Sequence, residues 1–447
     1  MHYSPDQRDL RTEEELVNHP LYTREQENIE GFLTTLRAAR SPDDFNRLHR
    51  DLFGRFLGAQ RFLEALRGEK ERANEQLREA RDRGDGPELR RLSAELGMLD
   101  RDRRAADAVL SLQRQLGDAL AWTLLEFRRS AATVFGEGER VDRLADAKGL
   151  AAELALIDEL TAEGVVALHT DLTSCLQHGD VFAVRSFDPR VYELAEVKAG
   201  PRSDALQLER LERATDLLND GSHPTAAEGG PLWIVSAPVA YRSHVAAAAE
   251  AIHLAREQTY VTLEVEDGLA IQVYDETNPA RLGPQEIKDR QAAFAAGLPS
   301  EEDDRIIFSI AVRRMRDRRH SFGSLAPLPL LPYAVETTAG LMIGELDIVT
   351  TIDAAAIERR LALRGIDAEV ARGAGAADGF LTARRGPASL SVPATVREQV
   401  SIELMTIEAL IEMVDWTLGE IADRTGEQPQ MIIDYADERT YWTSYHQ

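Results

Sequence analysis

The chain has 447 residues, of which 43% are hydrophobic and 29% are charged, a composition typical of a globular protein with room for two to four domains. Its formal net charge of −25 argues against a protein coated with nucleic acid or lying on an anionic membrane. A local basic cleft remains compatible with this charge. Residues 313–319 contain five arginines and one aspartate, which favours either a nucleic-acid contact or a solvated surface.

Cysteine usage and hydropathy bear on the compartment. Cys175 is the only cysteine, so the sequence permits no intrachain disulfide and no cysteine-built zinc site. Beside His178 it could serve as a nucleophile, but its apolar surroundings favour a role as core filler. The N-terminal segment has no apolar signal core, and no apolar run is long enough to span a membrane. We therefore expect a cytoplasmic protein with no membrane partner.

Residues 1–147 are predicted to be helical. Residues 13–40 favour one helix, and Ser41, followed by proline and two aspartates, predicts the N-cap of the next. Apolar residues recur at helical spacing on both sides of a Gly/Pro break at residues 84–87. On the first side they are Phe45, Leu48, Leu52, Phe56, Leu63 and Leu66. We expect an antiparallel, coiled-coil-like hairpin with a polar tip. It forms either a wall of a helical domain or an arm for homo-oligomerisation or for docking a separate partner protein.

Residues 148–298 are predicted to alternate between helices and strands. The predicted elements, in order, are a helix at 149–163, strands at 165–168, 181–184 and 191–198, a helix at 203–219 and a strand at 231–236. An extension adds a helix at 243–258, a hairpin with strands at 260–264 and 270–274, and a helix at 280–298.

Residues 299–447 are predicted to form a C-terminal α+β domain. Its expected elements are a strand at 341–351, a helix at 354–364, a strand at 366–371 and a long amphipathic helix at 396–424.

A candidate site lies where two of the predicted strands meet. Asp180 precedes the apolar run 181–184, and the tripeptide Glu196-Val197-Lys198 ends the strand that follows. If the two runs pair as a hairpin, the start of the first lies beside the end of the second. Side chains alternate along a strand, so Glu196 and Lys198 share a face while Val197 points to the core. Two carboxylates and an ammonium at one sheet edge predict a divalent-metal site.

Lysine usage supports this site. The chain has 52 lysines and arginines but only four lysines, one of which is Lys198. A buried lysine can give up its proton, and arginine cannot replace it in proton chemistry. The alternative is a solvated cross-strand pair of Glu196 and Lys198. A second Glu-x-Lys, at Glu286 and Lys288, lies in a helix-like segment with no Gly-Asp before it and serves as an internal comparison.

The element order and the two motifs resemble the PD-(D/E)XK nuclease superfamily, which has the restriction-endonuclease-like fold. The matching residues are Gly179-Asp180 and Glu196-Val197-Lys198, followed by the helix at 203–219 and the strand at 231–236. The likeness covers about residues 150–240, roughly a fifth of the chain. It implies a central αβββαβ core. Together with the N-terminal helical hairpin and the C-terminal α+β module predicted above, the expected fold class is α/β (α+β).

The resemblance also implies a role for each matching residue. Asp180 and Glu196 would bind Mg²⁺ or Mn²⁺, whose hard character suits carboxylate oxygens. The backbone carbonyl of Val197 would add a ligand. Lys198 would position the attacking water or help to deprotonate it. Glu153, near the apolar stripe of the first core helix, is the candidate helix acid, with a plain surface charge as the alternative. Asp158 is a second candidate on that helix.

Three more residues are candidates on the substrate side. Gln207 stands where some family members carry a helix glutamine motif, although Leu211 replaces the aromatic residue expected four positions later. His169 and Asp171 lie just upstream of the first acid and either line the cleft or act as caps and turn residues. The proline that often precedes the first acid of the family is absent here.

The sequence therefore predicts a metal-dependent nuclease that hydrolyses phosphodiester bonds, most readily in DNA. By analogy with other proteins that join this fold to unusual flanks, it would act in bacterial restriction or anti-phage defence. No Gly-x-x-x-x-Gly-Lys-Ser/Thr motif occurs, so an energy-using partner would be a separate chain. The alternative is a non-catalytic scaffold or a nucleic-acid-binding protein that retains the nuclease fold.

Overall fold

The computed structural model describes most of the chain, with several gaps. The described residues are 19–136, 147–176, 178–188, 190–197, 215–216, 219, 232–275, 277, 284–297, 305–309, 325–372, 379–423, 430–435, 437–438 and 440–442. Outside them lie several predicted features, namely Lys198, Gln207, the arginines of 313–319, and the helix at 203–219 apart from residues 215, 216 and 219.

The described part mixes helices with small sheets. Its helices are α1 (Pro20–Ala38), α2 (Pro42–Asp82), α3 (Gly86–Leu124), α4 (Arg129–Gly136), α5 (Ala147–Ala162), α6 (Val245–Gln258), α7 (Pro284–Gly297), α8 (Val335–Ile343), α9 (Ala354–Ala362), α10 (Ala394–Ile402) and α11 (Ile407–Asp423). Its strands are β1 (Val166–His169), β2 (Val181–Phe187), β3 (Arg190–Ala195), β4 (Leu232–Ala237), β5 (Tyr260–Glu266), β6 (Leu269–Asp275), β7 (Arg305–Ser309), β8 (Leu346–Asp353), β9 (Asp367–Val370), β10 (Leu381–Arg385), β11 (Ala388–Val392) and β12 (Gln430–Tyr435).

Helices α2 and α3 form the predicted hairpin. The predicted cap is present, because the Ser41 hydroxyl accepts the N–H of Asp44 at 3.3 Å and the Asp44 carboxylate accepts the N–H of Ser41 at 3.1 Å. All six predicted stripe residues of α2 are buried. At 1.5 Å per residue, α2 is about 60 Å long. The distal part of the hairpin has a small apolar cluster of its own, made by Leu66, Ala73 and Leu99.

Strands β1, β2 and β3 form an antiparallel meander, in which β2 and β3 are the predicted hairpin. Leu168 pairs with Phe182 on one side of β2, and Val181 pairs with Ala195 on the other. The first four residues of β2 are all buried, so this strand is the centre of the local core. Helix α5 packs on the sheet through Ile157. The order helix, strand, strand, strand therefore exists at residues 147–195.

Asparagine side chains close both outer edges of this sheet. On β1, Asn46 of α2 donates to the carbonyl of Val165 at 2.9 Å and accepts the N–H of Ala167 at 3.2 Å. On β3, Asn219 accepts the N–H of Tyr192 and donates to its carbonyl, both at 3.0 Å. These contacts satisfy backbone groups that an additional strand would otherwise pair with.

The fourth strand of the predicted core, β4, pairs elsewhere. It lies parallel to β12 from the C-terminal part of the chain, with Leu232 opposite Gln430 and Ala237 opposite Tyr435. The described sheet order is therefore β1-β2-β3 in one sheet and β12-β4 in another. The described elements confirm the α+β class. Their pairings do not join the four strands of the predicted core into one sheet, because β4 pairs with β12.

A four-stranded antiparallel sheet of order β5-β6-β8-β7 lies beyond the meander. The predicted hairpin is β5 and β6, with Val261 opposite Val273. Strand β6 also pairs with β8, so that Ile271 lies opposite Thr350. The predicted domain boundary at residue 298 therefore passes through one hydrogen-bonded sheet. A third sheet has the order β11-β10-β9.

Two predicted elements of the C-terminal part have different limits. The predicted strand at 341–351 begins only at Leu346, because residues 335–343 form α8 and Gly344 ends it with a left-handed φ of 79°. The predicted helix at 396–424 is split into α10 and α11. At the break, Leu404 has a φ of 54° and its carbonyl accepts the N–H of His244 at 2.8 Å. Tertiary backbone pairing thus overrides the helical periodicity.

The carboxylate of Glu266 joins α11 to the β5–β6 hairpin. The Glu266 carboxylate accepts the backbone N–H groups of Ile407 and Glu408, at 2.8 and 3.1 Å, and so caps α11 from a distant strand. It also pairs with Arg360 at 2.8 Å and with His244 at 3.1 Å. Burial raises the pKa of Glu266, but the hydrogen bonds from His244, Arg360 and the backbone outweigh it and hold the pKa at about 2.

A buried charge cluster connects α4 with the C-terminal part. The Arg129 guanidinium donates to Glu403 at 2.9 and 2.7 Å and, from Nε, to Glu438 at 3.0 Å. Tyr241 donates to Glu403 at 2.6 Å and the Trp442 indole donates to Glu438 at 3.2 Å. Arg129 and both glutamates are at most 3% exposed. The cluster holds two carboxylates against one guanidinium.

Among the described helices, none combines the length and the apolar character needed to cross a bilayer.

Candidate functional site

Asp180 lies at the entrance to β2, between the ends of β1 and β3. The turn before it uses Gly179 with a φ of 71°, a region that favours glycine. The N–H of Asp180 donates to the carbonyl of Ala195 at 2.8 Å, and the carbonyl of Asp180 accepts the N–H of Thr170 at 3.0 Å. These bonds fix the backbone of Asp180 against both neighbouring strands.

The carboxylate of Asp180 contacts the segment that follows β3. Its Oδ2 accepts the N–H of Val197 at 2.7 Å. Strand β3 ends at Ala195, so Glu196 and Val197 follow the strand rather than forming its last pairs. Val197 packs on the apolar cluster beneath α5, as predicted, and Glu196 is half-buried. The structure thus brings Asp180 to the Glu-x-Lys segment, of which Lys198 lies outside the described residues.

Glu153 points into the protein from α5. Its Oε2 is 2.8 Å from Nε2 of His169, at the end of β1, and the two side chains are 4% and 2% exposed. The expectation of a plain surface charge at Glu153 is therefore wrong. Asp158, the other acid proposed on this helix, is exposed.

His169 caps the short 3-10 turn Thr170–Leu172. Its Nδ1 accepts the N–H of Asp171 at 3.3 Å, which is the capping role expected as one of its alternatives. Because Nδ1 accepts a hydrogen bond, the ring proton belongs on Nε2, where it is donated to Glu153. Buried in this way, His169 contacts the acids of the site and does not line an open cleft.

Asp171 shares an electrostatic environment with the other candidate acids. Burial raises the pKa of its carboxyl group, His169 and Arg114 lower it, and the negative charges of Glu153 and Asp180 raise it further. The outcome is a raised pKa. Asp171 is therefore close enough to both Glu153 and Asp180 to be affected by their charges, and Arg114 of α3 is its positive neighbour.

The loop after β1 is fastened to α3. The Asp118 carboxylate accepts the N–H groups of Ser174 and Cys175, at 2.5 and 2.9 Å, and the Ser174 hydroxyl as well. Next to it, a Cβ on Gly117 would lie 2.1 Å from the carbonyl oxygen of Leu172. Glycine at this position lets the loop lie directly against the helix backbone.

Cys175 fills space in this contact. Its side chain is buried, and burial together with the nearby Asp118 raises the pKa of its thiol well above the usual value. A thiol with a raised pKa is a poor nucleophile at neutral pH. The prediction of a core role is confirmed.

The donor chemistry of these residues suits a hard divalent cation. Carboxylate oxygens are the ligands that Mg²⁺ and Mn²⁺ prefer, and Mg²⁺ often takes one or two protein carboxylates and completes its shell with water and phosphate. Within the described ranges, no group of three or more His, Cys, Asp or Glu side chains is arranged to hold a metal ion. A cation beside Asp180 would therefore depend on few protein ligands, in the manner usual for Mg²⁺.

Sequence reasoning missed the residues that support the site. Asn46 and His49 of α2 bond to β1, and the Nε2 of His49 accepts the N–H of His169 at 3.1 Å. Both residues border the apolar stripe and are three positions apart, so they share one helix face. That pair of polar side chains beside a buried stripe was the available indication. The sequence around Asp118 has no comparable pattern, so its contact with the loop after β1 could not be predicted.

Comparisons with protein-family models, with curated proteins and with solved structures find no match for this chain.

Proposed function

We propose that this protein is a metal-dependent nuclease that hydrolyses phosphodiester bonds, with DNA as its substrate. The observation that carries the proposal is the hydrogen bond from the Val197 N–H to the Asp180 carboxylate. It joins the two motifs that resemble the PD-(D/E)XK superfamily, although they are separated along the chain by most of two strands.

The local charge supports the same proposal. Burial and the negative charges of Glu153 and Asp180 raise the pKa of Asp171 and so add to the cost of ionising it. A divalent cation at this position would offset that repulsion.

The proposed roles follow from the residues present. Asp180 and Glu196 would hold Mg²⁺ or Mn²⁺, with the backbone carbonyl of Val197 as a further ligand by resemblance. The cation would supply charge neutralisation at the scissile phosphate and a more acidic water. Lys198 would orient that water and stabilise developing negative charge. The backbone bonds to Thr170 and Ala195 would hold Asp180 in place for this role.

The test is a cleavage assay with the full-length protein on supercoiled, linear and single-stranded DNA and on RNA, each with Mg²⁺, Mn²⁺ or EDTA. We expect metal-dependent cleavage of DNA that D180N, E196Q and K198A each reduce by at least ~10²-fold, the scale for loss of one key electrostatic group. The chain provides matched controls in its second Glu-x-Lys, so E286Q and K288A should leave the rate unchanged. Equal activity in D180N and wild type would assign the cleavage to another site.

A second candidate is a nucleic-acid-binding scaffold that keeps the fold without the chemistry. It is favoured by the lack of a three-ligand metal group among the residues described and by the hydrogen bond that occupies Glu153. Binding of DNA in a gel-shift assay, without cleavage under any metal condition, would support the scaffold over the nuclease.

A further inference from the structure

Helices α10 and α11 share one amphipathic pattern. Apolar residues recur at alternating spacings of four and three from the first helix into the second, which is the pattern of a single helix. No proline or glycine occurs in residues 394–418, so the break at residues 403–406 is not caused by either of the usual helix breakers. The residues of the shared stripe are at most 1% exposed, namely Val400, Leu404, Ile407, Ile411, Val414 and Leu418.

Leu404 carries the backbone strain of this break. Its φ of 54° is a left-handed conformation, which disfavours a non-glycine residue by a factor of about 5 to 30 in equilibrium. The side chain of Leu404 is fully buried, so the break is not a frayed turn at the surface. Locally, Thr406 supports the break, because its hydroxyl accepts the N–H of Ala409 at 3.1 Å as an N-cap.

Hydrogen bonds from outside the two helices hold the break. The N–H of His244 donates to the carbonyl of Leu404 at 2.8 Å, and the N–H of Thr406 donates to the carbonyl of Arg242 at 3.0 Å. Glu266 accepts two N–H groups of the first turn of α11, which in a continuous helix would bond to carbonyls of the preceding turn. Distant segments thus supply the hydrogen bonds that one continuous helix would make within itself.

We propose that the break at Leu404 is a conformational switch: α10 and α11 join into one continuous helix when these outside bonds are removed. Glu403, the residue before Leu404, would then leave the buried cluster that it forms with Arg129. The C-terminal part would lose that attachment to α4. The switch therefore couples the backbone before α6 and the β5–β6 hairpin to the attachment of the C-terminal part, and it does not depend on the proposed nuclease activity.

Two truncations of Leu404 report which form is present. L404G and L404A both remove the buried side chain, but only glycine adopts a φ of 54° without cost. In the broken form, L404G should therefore have an unfolding equilibrium constant at least ~5-fold smaller than that of L404A. In one continuous helix the order reverses by about 5-fold, because glycine is the less favourable residue there. G419A, inside α11 with nothing within 4 Å of the added atom, is the control and should stabilise both forms.

A matched pair of variants at His244 releases the break. H244P removes the N–H that donates to Leu404, whereas H244A loses the same ring and keeps that N–H. Spin labels on T395C and A422C report the form directly, because the buried Cys175 has a thiol whose raised pKa keeps it unreactive. At 1.5 Å per residue, a single helix places these two Cα atoms about 40 Å apart. We expect a population at that distance in H244P and none in H244A.

The full-length variants are compared by urea unfolding and by double electron–electron resonance. In wild type and H244A, L404G should be more stable than L404A, and in H244P the order should reverse while the longer-helix distance appears. An unchanged order or an unchanged distance in H244P would overturn the proposal, and so would greater stability of L404A than of L404G in wild type. Should H244P not fold, E266A, which removes the cap of α11, takes its place and has to show both changes.

Discussion

Replacing Arg129 by methionine tests how strongly the buried charge cluster holds the C-terminal part in place. The guanidinium donates to both Glu403 and Glu438, and all three side chains are almost fully buried. The variant leaves two buried carboxylates with no counter-charge. Breaking a buried ion pair by removing one partner typically costs about 3–5 kcal/mol. Because two carboxylates share this guanidinium, we expect a loss toward the upper end of that range at pH 8.

The loss should depend on pH. In wild type, burial raises the pKa of Glu438 and Arg129 opposes this shift, so the variant should raise the pKa further. A carboxyl group whose pKa rises on folding contributes stability that is complete at low pH and is lost as the pH rises through the folded value. Glu438, whose pKa is raised further in the variant, can take up a proton as the pH falls, so the difference from wild type should shrink at pH 5.

The assay is urea unfolding followed by tryptophan fluorescence at pH 8 and pH 5. The cluster supplies its own reporters, because Arg129 lies over the ring of Trp122 at 5.5 Å and Trp442 donates to Glu438. R47M, which removes an arginine whose side chain is 68% exposed, should leave the midpoint unchanged. Equal stability of wild type and R129M at pH 8, or the same deficit at both pH values, would refute the reasoning.

Two further substitutions test the contacts around the sheets. G117A should destabilise the protein by about 1–3 kcal/mol or more in thermal melts, because its Cβ would lie 2.1 Å from the carbonyl oxygen of Leu172. The control is G31A, which has nothing within 4 Å of the added atom and should be neutral or stabilising in the same assay. E266Q should cost about 2 kcal/mol at pH 7, since it replaces a carboxylate that caps α11, pairs with Arg360 and forms a hydrogen bond with His244. The hydrogen bonds of Glu266 hold its pKa at about 2 despite burial. The extra unfolding free energy of wild type over E266Q should therefore be complete above the ordinary glutamate pKa and should fade as the pH falls toward 2. A difference that stays constant from pH 7 to pH 3 would contradict this account.

The parts of the fold that could be predicted are those that local sequence determines. The capping box at Ser41 needs only residues three positions apart, and the buried stripe of α2 needs only helical periodicity. The Gly179-Asp180 turn and the two strands around it are also local. For that reason the sequence could place Asp180 near Glu196, and the hydrogen bond from Val197 to Asp180 agrees with that expectation.

The parts that escaped prediction depend on segments far apart in the chain. Periodicity indicates which residues are buried but not what they pack against, so the pairing of β4 with β12 had no local indication. The helix predicted over 396–424 has the correct apolar stripe and is nevertheless interrupted, because the backbone at Leu404 bonds to His244. The burial of Glu153 also escaped prediction because it depends on a contact with another element. Its partner His169 lies on the next element, and a single sequence does not show that two polar residues face each other.

The resemblance covers residues of one small sheet, but the geometry of the site is not determined within that sheet. Asn46 and His49 from α2 satisfy the edge of β1, and Asp118 from α3 holds the loop that carries Asp171 toward Asp180. Any movement of the helical hairpin at its base must therefore change these hydrogen bonds or the positions of the acids. A partner that bound the distal hairpin and shifted its base would act on the site through these contacts. The hairpin is thus a structural part of the candidate site, and variants of α2 and α3 belong among its tests.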